Sequence, residues 1–281
     1  MSSEPQFPSP EPTTLPPVRP RAFFASPSPL LFAHRGGSAL APENTLAAFD
    51  RAVALGVDGL ELDVRLSQDG IVVVHHDRLL ARTTNLSGAV DRHTAAELER
   101  ADAGFHFGSA HSFPCRGMGI GVPALATVLQ RYRDVRVIIE LKLNDAALAR
   151  AVIEVVRNQD AVDRVCLGSF GLRVLQAART AAPEIATSAA REEVRWALYR
   201  SWLRWPVSRV AYDGYQVPEF SGSTRVVSPR FVAGARRAGL GVQVWTVDEE
   251  ADARRLLAWG VDALITDRPD VLRAVVQRAC Q

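Results

Sequence analysis

The chain has 281 residues, of which 47% are hydrophobic and 23% are charged, the composition of an ordinary globular protein with ample material for a core. Its length fits two small domains or one α/β barrel, because such barrels run to about 250 residues as single domains. A formal net charge of +2 gives no reason to expect nucleic acid as a partner. The cysteines are odd in number and widely spaced, which fits a reducing compartment and neither a disulfide framework nor a zinc site: Cys115, Cys166 and Cys280.

The first 29 residues contain nine of the 17 prolines and few large apolar side chains. Such a segment cannot bury enough surface to offset the entropy lost on ordering, so we predict a disordered tail over 1–29 and a single domain over 30–281. The tail lacks the basic and apolar regions of a secretory signal. No stretch approaches the roughly 18 apolar residues of a transmembrane segment. We therefore expect a cytoplasmic protein, and the sequence carries no pattern that specifies an oligomeric state.

From residue 30 onward, short runs rich in β-branched residues alternate with longer amphipathic segments, a pattern typical of repeated βα units and a parallel sheet. The first amphipathic segment, at 45–56, has Asn44 or Thr45 as its cap and Gly56 as its stop. Eight such units close a barrel, so the count predicts a (β/α)8 TIM barrel. The eight candidate strands are residues 31–35, 59–64, 137–142, 165–170, 185–189, 210–215, 242–247 and 263–267.

One further run, at 71–76, follows the second strand after only a few residues. That link is too short for a parallel crossover, so the run must be the return arm of a β-hairpin. A long insertion, at about 78–123, then precedes the third barrel strand. It contains a predicted helix at 93–101 and a loop rich in glycine and phenylalanine. We favour a subdomain that covers the substrate over a disordered loop.

The C-terminal ends of the predicted strands carry residues suited to chemistry, and enzymes with this fold place their active sites there. The period of two in a strand puts Glu61 and Asp63 on one face, and does the same for Glu140 and Lys142. Because these strands are otherwise apolar, inward-facing carboxylates would be buried charges that need a partner. Further candidates at strand ends are His34, Arg35, Trp245, Thr266 and Asp267.

Three carboxylates that converge on one mouth repel one another unless a positive charge lies between them. A hard divalent cation, Mg²⁺ or Ca²⁺, suits a set of oxygen ligands such as Glu61, Asp63 and Glu140. The alternative is a network of ion pairs without metal, in which the carboxylates contact Arg35, Arg65 and Lys142.

The hairpin brings a histidine towards the same face. With a two-residue turn at 68–69, His76 lies opposite Glu61; with the turn at 69–70, it lies opposite Asp63. Because His34 approaches from the first strand, two imidazoles would flank one place and form an acid–base pair suited to neutral pH. A lone histidine at a strand end is more often structural, and we interpret His75 in that way.

Several motifs follow one another in order along the chain. They are HRGGSALAPENTLAAF (34–49), ELDVRLSQDGIVVVHHD (61–77), ARTT (81–84), VPALATVL (122–129), IELK (139–142), VWTVD (244–248) and ITDRPD (265–270). This ordered set resembles the signature of the glycerophosphodiester phosphodiesterase family, and the likeness runs from about residue 31 to residue 275. It leaves only the proline-rich tail outside.

The resemblance implies a metal-dependent hydrolase that releases glycerol 3-phosphate and an alcohol. In family members the nucleophile can be the substrate's own 2-hydroxyl, which gives a cyclic phosphate that water then opens. The implied roles are acid–base catalysis by His34 and His76, metal binding by Glu61, Asp63 and Glu140, phosphate binding by Arg35 and Lys142, and a pocket wall at Trp245. Two other functions stay in view: a lyase that stops at the cyclic phosphate, and a binding protein that holds the metal without turnover.

The substrate is the part of the function that the motifs leave open. Small water-soluble glycerophosphodiesters are the first choice, and lysophospholipids, cleaved as by a lysophospholipase D, are the alternative. The relevant segment is 191–205, where three tryptophans, a tyrosine and several arginines fall on one predicted helix. We favour a barrel helix that buries Trp196, Tyr199 and Leu203 against the strands. The alternative is a peripheral membrane contact, because aromatic and basic residues suit the depth of lipid head groups.

Overall fold

The structure is a computed structural model that describes residues 21–108, 112–205 and 210–279. Eight parallel strands form a nearly closed barrel with helices between them, which confirms the predicted (β/α)8 fold. The strands are β1 (Leu30–His34), β2 (Gly59–Leu66), β3 (Val72–Val74), β4 (Arg136–Leu141), β5 (Val165–Gly168), β6 (Ala186–Thr187), β7 (Gly214–Pro218), β8 (Phe220–Ser221), β9 (Thr224–Arg225), β10 (Gly241–Trp245) and β11 (Ala263–Thr266).

The barrel ladder runs in the order β6, β5, β4, β2, β1, β11, β10 and β7. A bridge between Ser188 and Gly214 joins its two ends. Off this ladder, β3 pairs with β2, and β8 forms a short hairpin with β9. The helices are α1 (Leu46–Ala54), α2 (Ala95–Glu99), α3 (Leu125–Arg131), α4 (Ala146–Asn158), α5 (Leu172–Ala181), α6 (Arg191–Leu203), α7 (Pro229–Arg237), α8 (Glu250–Ala258) and α9 (Pro269–Ala279).

The floor of the barrel is closed by residues that the predicted tail includes. Ala22–Phe24 form a 3-10 helix, and the side chain of Phe23 is 1% exposed within the apolar cluster inside the barrel, beside Phe32 and Ile265. The prediction of disorder is therefore wrong for 21–29, because a single large apolar side chain finds a buried position that composition does not reveal. Residues 1–20 lie outside the described residues.

The predicted hairpin after the second strand is confirmed, but both predicted registers are wrong. Leu66 pairs with Val72, so three residues, 68–70, form the loop, and Gly70 adopts a φ of +78°. A three-residue loop that ends in a left-handed residue is a common hairpin connection. As a result, the amide of His75 donates to the carbonyl of Asp63 at 2.9 Å, while His76 lies beyond the end of β3.

The sixth barrel strand is also displaced from its prediction. The run 210–215 was expected, whereas β7 begins only at Gly214 and ends at Pro218. Gln216 and a proline make this strand unlike an ordinary apolar one. The reason lies in the cavity, because the side-chain amide of Gln216 donates to Gln243 Oε1 at 2.9 Å inside the barrel.

The insertion packs against the hairpin and contributes no described residue to the lining of the cavity at the barrel mouth. Its predicted helix is confirmed as the short α2, which Thr94 and Glu97 cap reciprocally. Leu80, Leu98 and Val122 form a small separate core with Val73 of β3. We therefore regard the insertion as a support for the hairpin. Because its described residues do not line the cavity, they give no support to the expectation that the insertion covers the substrate.

Helix α6 presents a different face to the barrel from the one we favour on sequence. Ala197 and Leu198 are buried, whereas Trp196, Tyr199 and Leu203 are 66%, 45% and 59% exposed. Both faces of this helix repeat apolar residues at helical spacing, so the pattern alone does not select between them. In the described ranges, no helix combines the length and apolarity needed to cross a bilayer.

Candidate active site

A cavity of about 330 Å³ opens at the C-terminal ends of the barrel strands. Seven of the eight residues singled out in the sequence line it, and the eighth, Asp63, is 1% exposed and contacts two of them. The seven are His34, Arg35, Glu61, His76, Glu140, Lys142 and Trp245. Residues predicted from four separate motifs therefore meet in one place.

The carboxylates of Glu61, Asp63 and Glu140 converge so that one oxygen from each lies within 4.8 Å of the others. Lys142 Nζ lies 3.3 Å from Asp63 Oδ1 and 3.1 Å from Glu140 Oε1, and Arg35 Nε lies 3.3 Å from Asp63 Oδ2. The predicted network of ion pairs is thus present for two of its three cations. The third, Arg65, instead donates to the carbonyl of His76 at 2.9 and 2.7 Å.

The cluster holds more negative charge than its cations balance. Burial, together with the charge of Asp63 and Glu140, raises the pKa of Glu61 to about 8. Burial would also raise the pKa of Asp63, but the charges of Lys142 and Arg35 outweigh it and lower that pKa. Asp63 is therefore stabilised as the anion, while Glu61 tends to keep its proton. A divalent cation between them would favour the anionic form of both.

Three converging carboxylate oxygens are the donor set that a hard cation requires. The side-chain amide of Asn44 donates to Asp63 Oδ2 at 2.8 Å, and Asn44 Oδ1 accepts from the Asp63 amide at 3.2 Å. Together these bonds fix Asn44 beside Asp63 and orient the Asp63 carboxylate, as partners outside the ligand set do in metal sites. The residues present therefore fit a divalent metal and could hold one.

His34, at the end of β1, is held by a carboxylate from the neighbouring strand. Its Nδ1 lies 2.7 Å from Asp267 Oδ1, which also accepts from Ser38 Oγ at 2.6 Å. Burial would lower the pKa of His34, but the charges of Glu61 and Asp267 outweigh it and raise that pKa. Since Nδ1 is engaged, Nε2 is the nitrogen left for proton transfer in the cavity.

His76 has an equivalent partner beside it in the chain. Its Nδ1 lies 2.6 Å from Asp77 Oδ1, and Asp77 Oδ2 accepts from Arg82 Nε at 2.5 Å. Burial would raise the pKa of Asp77, but hydrogen bonds from Arg82 and His76 lower it far below the usual range. Both histidines therefore have an anionic partner on Nδ1. Nε2 of His34 lies 3.9 Å from Glu61 Oε2, which is beyond hydrogen-bond distance.

The turn after β1 places Arg35 between the carboxylates. Arg35 has a φ of +51°, and its amide donates to Glu61 Oε2 at 3.0 Å. Gly36 follows with a φ of +86°, and a Cβ there would lie 2.7 Å from Ala48 Cβ, which explains the glycine of the HRGG motif. Arg35 Nη1 also donates to Glu43 Oε1 at 3.0 Å, an oxygen that Arg82 shares at 2.7 Å.

Sequence reasoning assigned no role to several of these partners. Each of these partners lies within one of the quoted motifs. Their position in a motif is therefore the signal by which the sequence could have indicated them. Asp77 directly follows His76, and Asp267 lies at the end of the eighth predicted strand without a stated function. The partners without an assigned role in the site are Glu43, Asn44, Asp77, Arg82 and Asp267; Asn44 was considered only as a helix cap, and that position belongs to Thr45.

The opposite wall of the cavity is apolar and aromatic. Phe170 packs edge-on against Trp245 with ring centroids 5.9 Å apart, and the guanidinium of Arg191 lies 4.9 Å from the Phe170 ring. Phe170 is 43% exposed and stands at the rim. This wall also contains Ile138, Val194, Val217, Pro218 and Val226.

A (β/α)8 barrel whose mouth holds clustered carboxylates, two basic side chains and two oriented histidines has the groups needed to cleave a phosphate ester. Solved structures of such enzymes superpose on the chain. The glycerophosphoryl diester phosphodiesterase domain of a Mycobacterium tuberculosis protein matches with a TM-score of 0.78 and 26% identity, over 89% of this chain and 99% of that one. A phosphodiesterase of Oleispira antarctica, solved with its product sn-glycerol-3-phosphate, matches with a TM-score of 0.73 and 28% identity, over 89% and 97%.

The chain belongs to the glycerophosphoryl diester phosphodiesterase family, whose sequence model matches residues 34–271. A glycerophosphodiester phosphodiesterase of Caldanaerobacter subterraneus is 32% identical over 256 residues, which cover 89% of this chain and 98% of that protein. The resemblance found in the sequence is thereby confirmed. Family and structural neighbours together support glycerophosphodiester phosphodiesterase activity.

Proposed function

We propose that the chain hydrolyses glycerophosphodiesters to glycerol 3-phosphate and an alcohol, with His34 and His76 as the acid–base pair and a divalent cation, Mg²⁺ or Ca²⁺, on Glu61, Asp63 and Glu140. The observation that carries this proposal is that two histidines, each held on Nδ1 by a carboxylate, line the same cavity as the carboxylate cluster. A purely structural histidine has no need to lie in this cavity beside the carboxylate cluster.

The basic residues would bind the phosphate, and the aromatic wall would contact the rest of the substrate. Arg35 and Lys142 carry positive charge at the cavity and would bind the equatorial oxygens of the phosphodiester, where negative charge grows as the bond breaks. When bound, the cation would add positive charge against the same oxygens. Trp245 would form the wall that receives the rest of the substrate.

Proton transfer falls to the two histidines. One removes the proton from the attacking hydroxyl at its Nε2, and the other donates a proton to the departing alcohol oxygen. The anionic partners Asp267 and Asp77 stabilise whichever imidazole is protonated at each stage. If the attacking hydroxyl belongs to the substrate's glycerol, a cyclic phosphate forms first and the histidines exchange roles for its opening by water.

The test is release of glycerol 3-phosphate from glycerophosphocholine by the full chain, after chelation and then with Mg²⁺ or Ca²⁺ restored. We expect chelation to abolish release and one cation to restore it, and His76→Ala to lower the rate by about 10²–10⁴-fold. His93→Ala is the matched control, because His93 is half-buried outside the cavity and its ring contacts the carbonyl of Ser87. Turnover that survives chelation would contradict the metal, and silence with both cations would contradict the substrate.

The apolar wall favours lysophospholipids as a second candidate substrate. Phe170 and Trp245 leave a surface beside the charged half of the cavity on which an acyl chain could lie. Phe170→Ala should then raise KM for lysophosphatidylcholine and leave that for glycerophosphocholine unchanged. An equal effect on both substrates would count against this candidate. Accumulation of cyclic phosphate as the end product would instead identify a lyase.

A further inference from the structure

Helix α6 carries an exposed ladder of aromatic rings on the outside of the barrel. Trp196, Tyr199 and Trp202 are 66%, 45% and 52% exposed. Their rings stack edge to face, with centroids 6.2 Å apart for the first pair and 5.6 Å for the second. Leu203 and Trp205 extend the apolar surface to the end of the helix, at 59% and 64% exposed. We refer to these five residues as the aromatic stripe.

Among the described residues, the stripe belongs to neither apolar cluster of the barrel. Val194, Ala197 and Leu198 occupy the face of α6 that packs on the core, and they lie on the opposite side of the helix from Tyr199. A contiguous exposed patch of this kind indicates a surface that meets something else.

A second feature lies beside the stripe. A cleft of about 500 Å³ separates α6 from α7. Its described lining contains no carboxylate and four arginines: Arg200, Arg204, Arg230 and Arg237. In the part of the chain that the structure describes, the side chains of Arg204, Arg230 and Arg237 form no ion pair. Such a cleft attracts an anion that supplies its own negative charge.

From these two features we propose that the α6–α7 face docks on a membrane of anionic phospholipid, with the aromatic stripe at the depth of the head groups and a lipid phosphate in the arginine cleft. Tryptophan and tyrosine with flanking arginines suit this interface, because each ring has an apolar body and a polar edge. From Arg195 to Trp205 the helix contains no acidic residue. A second copy of the chain would bring the same arginines face to face, and like charges would oppose that contact.

The docking face continues into the cavity. Arg191 and Val194, at the start of α6, line the cavity wall, and Trp196 follows within one turn. From Val194 to Arg204 the helix spans about 15 Å at 1.5 Å per residue. A membrane lying along the stripe would therefore reach the aromatic rim at Phe170, so lipid-derived phosphodiesters would enter from the bilayer side.

The experiment is sedimentation of the full chain with phosphatidylcholine vesicles and with mixed phosphatidylcholine–phosphatidylglycerol vesicles, in the absence of substrate. We expect binding to the anionic vesicles that weakens as salt is raised. Each arginine near such a surface contributes about fivefold in partition, so the three unpaired arginines together give on the order of 100-fold preference over neutral vesicles. Because no turnover is measured, failure here is distinct from failure of the proposed hydrolysis.

Substitution of Gly234 tests the role of the arginine cleft. It lies in α7 at the cleft, and a Cβ added there meets nothing within 4 Å. Gly234→Glu therefore places a carboxylate among the arginines without removing a contact, and Gly234→Gln is its uncharged match. We expect the glutamate to lower anionic-vesicle binding by about fivefold or more and the glutamine to lower it less.

Trp196→Ser with Trp202→Ser tests the stripe. This pair should abolish vesicle binding while hydrolysis of glycerophosphocholine stays unchanged, since neither residue lines the catalytic cavity. Equal binding by the glutamate and glutamine variants, or no binding of the unaltered chain to anionic vesicles, would overturn the proposal. So would a lipid-free dimer in light scattering that the tryptophan variant dissociates, because the stripe would then be a protein interface.

Discussion

His34 Nδ1 lies 2.7 Å from Asp267 Oδ1, and the two residues terminate neighbouring strands of the barrel. The partnership is itself supported, because Asp248 accepts from the Asp267 amide at 2.8 Å and from Thr266 Oγ1 at 2.9 Å. The VWTVD and ITDRPD motifs therefore meet to hold one catalytic candidate in place.

Removing the charge of Asp267 should change the pH dependence as well as the rate. The anion raises the pKa of His34, so Asp267→Asn should lower it and move the limb of the pH–rate profile that reports His34 towards lower pH. We expect kcat to fall by about 10²-fold or more. Asp270→Asn, at an exposed pair with Arg268 at the start of α9, is the control. An Asp267 variant with the original profile would contradict the assignment of His34.

Cation binding should release a proton. Without a cation the pKa of Glu61 is about 8, so at pH 7 most molecules carry a proton that a bound cation must displace. Affinity should therefore rise with pH through this range and fall as the pH drops below 8. Titration calorimetry in buffers of different ionisation enthalpy should show close to one proton released at pH 7 and far fewer at pH 9. An equal release at both values would contradict the shared site.

Asn44 should affect cation affinity without touching the cation. Its amide orients Asp63, and loss of such an outer partner commonly costs 10- to 100-fold in affinity. Asn44 has a φ of +59°, so Asn44→Gly keeps the backbone unstrained and removes only the side chain. Weaker Ca²⁺ or Mg²⁺ binding by a variant that still folds is expected. Unchanged binding would place Asp63 outside the metal site.

Phe23 should stabilise the fold more than its position near the terminus suggests. The side chain is 1% exposed against Phe32, with ring centroids 5.9 Å apart, and truncation of a buried phenylalanine costs about 3–5 kcal/mol. Phe23→Ala should therefore lower the free energy of unfolding in urea by that amount. Phe220→Ala, at a side chain 47% exposed, should change it by less than about 0.5 kcal/mol. Equal effects would mean that the floor contact contributes nothing.

The barrel and the position of its site could be predicted from the sequence because both depend on periodic signals. Alternation along β2 and β4 placed Glu61, Asp63 and Glu140 together, and strand ends placed His34 and Trp245. The register at His76 could not be predicted, since one added loop residue at 68–70 changes every opposition in the hairpin. The prediction of which face of α6 is buried was wrong for a related reason. Both sides of the helix are apolar, and only packing against the barrel decides between them.

The sixth barrel strand and the floor of the barrel show a second kind of limit. A strand that turns Gln216 inward lacks the apolar pattern from which strands are recognised, because the cavity beside it accepts polar groups. The burial of Phe23 depends on an opening formed by strands far along the chain. Neither the inward-facing Gln216 nor the buried Phe23 can be recognised from the composition of the surrounding segment.

The Phe23 plug also determines where the proline-rich segment is attached. Arg21 binds the carbonyl of Pro183 at 2.5 Å and contacts Asp213 at 3.2 Å, and both partners precede barrel strands. Residue 21 therefore lies at the pole of the barrel opposite the mouth that holds the candidate site. An affinity tag or a fluorescent protein joined at the amino terminus would be attached through that pole, so immobilising the enzyme there should preserve turnover.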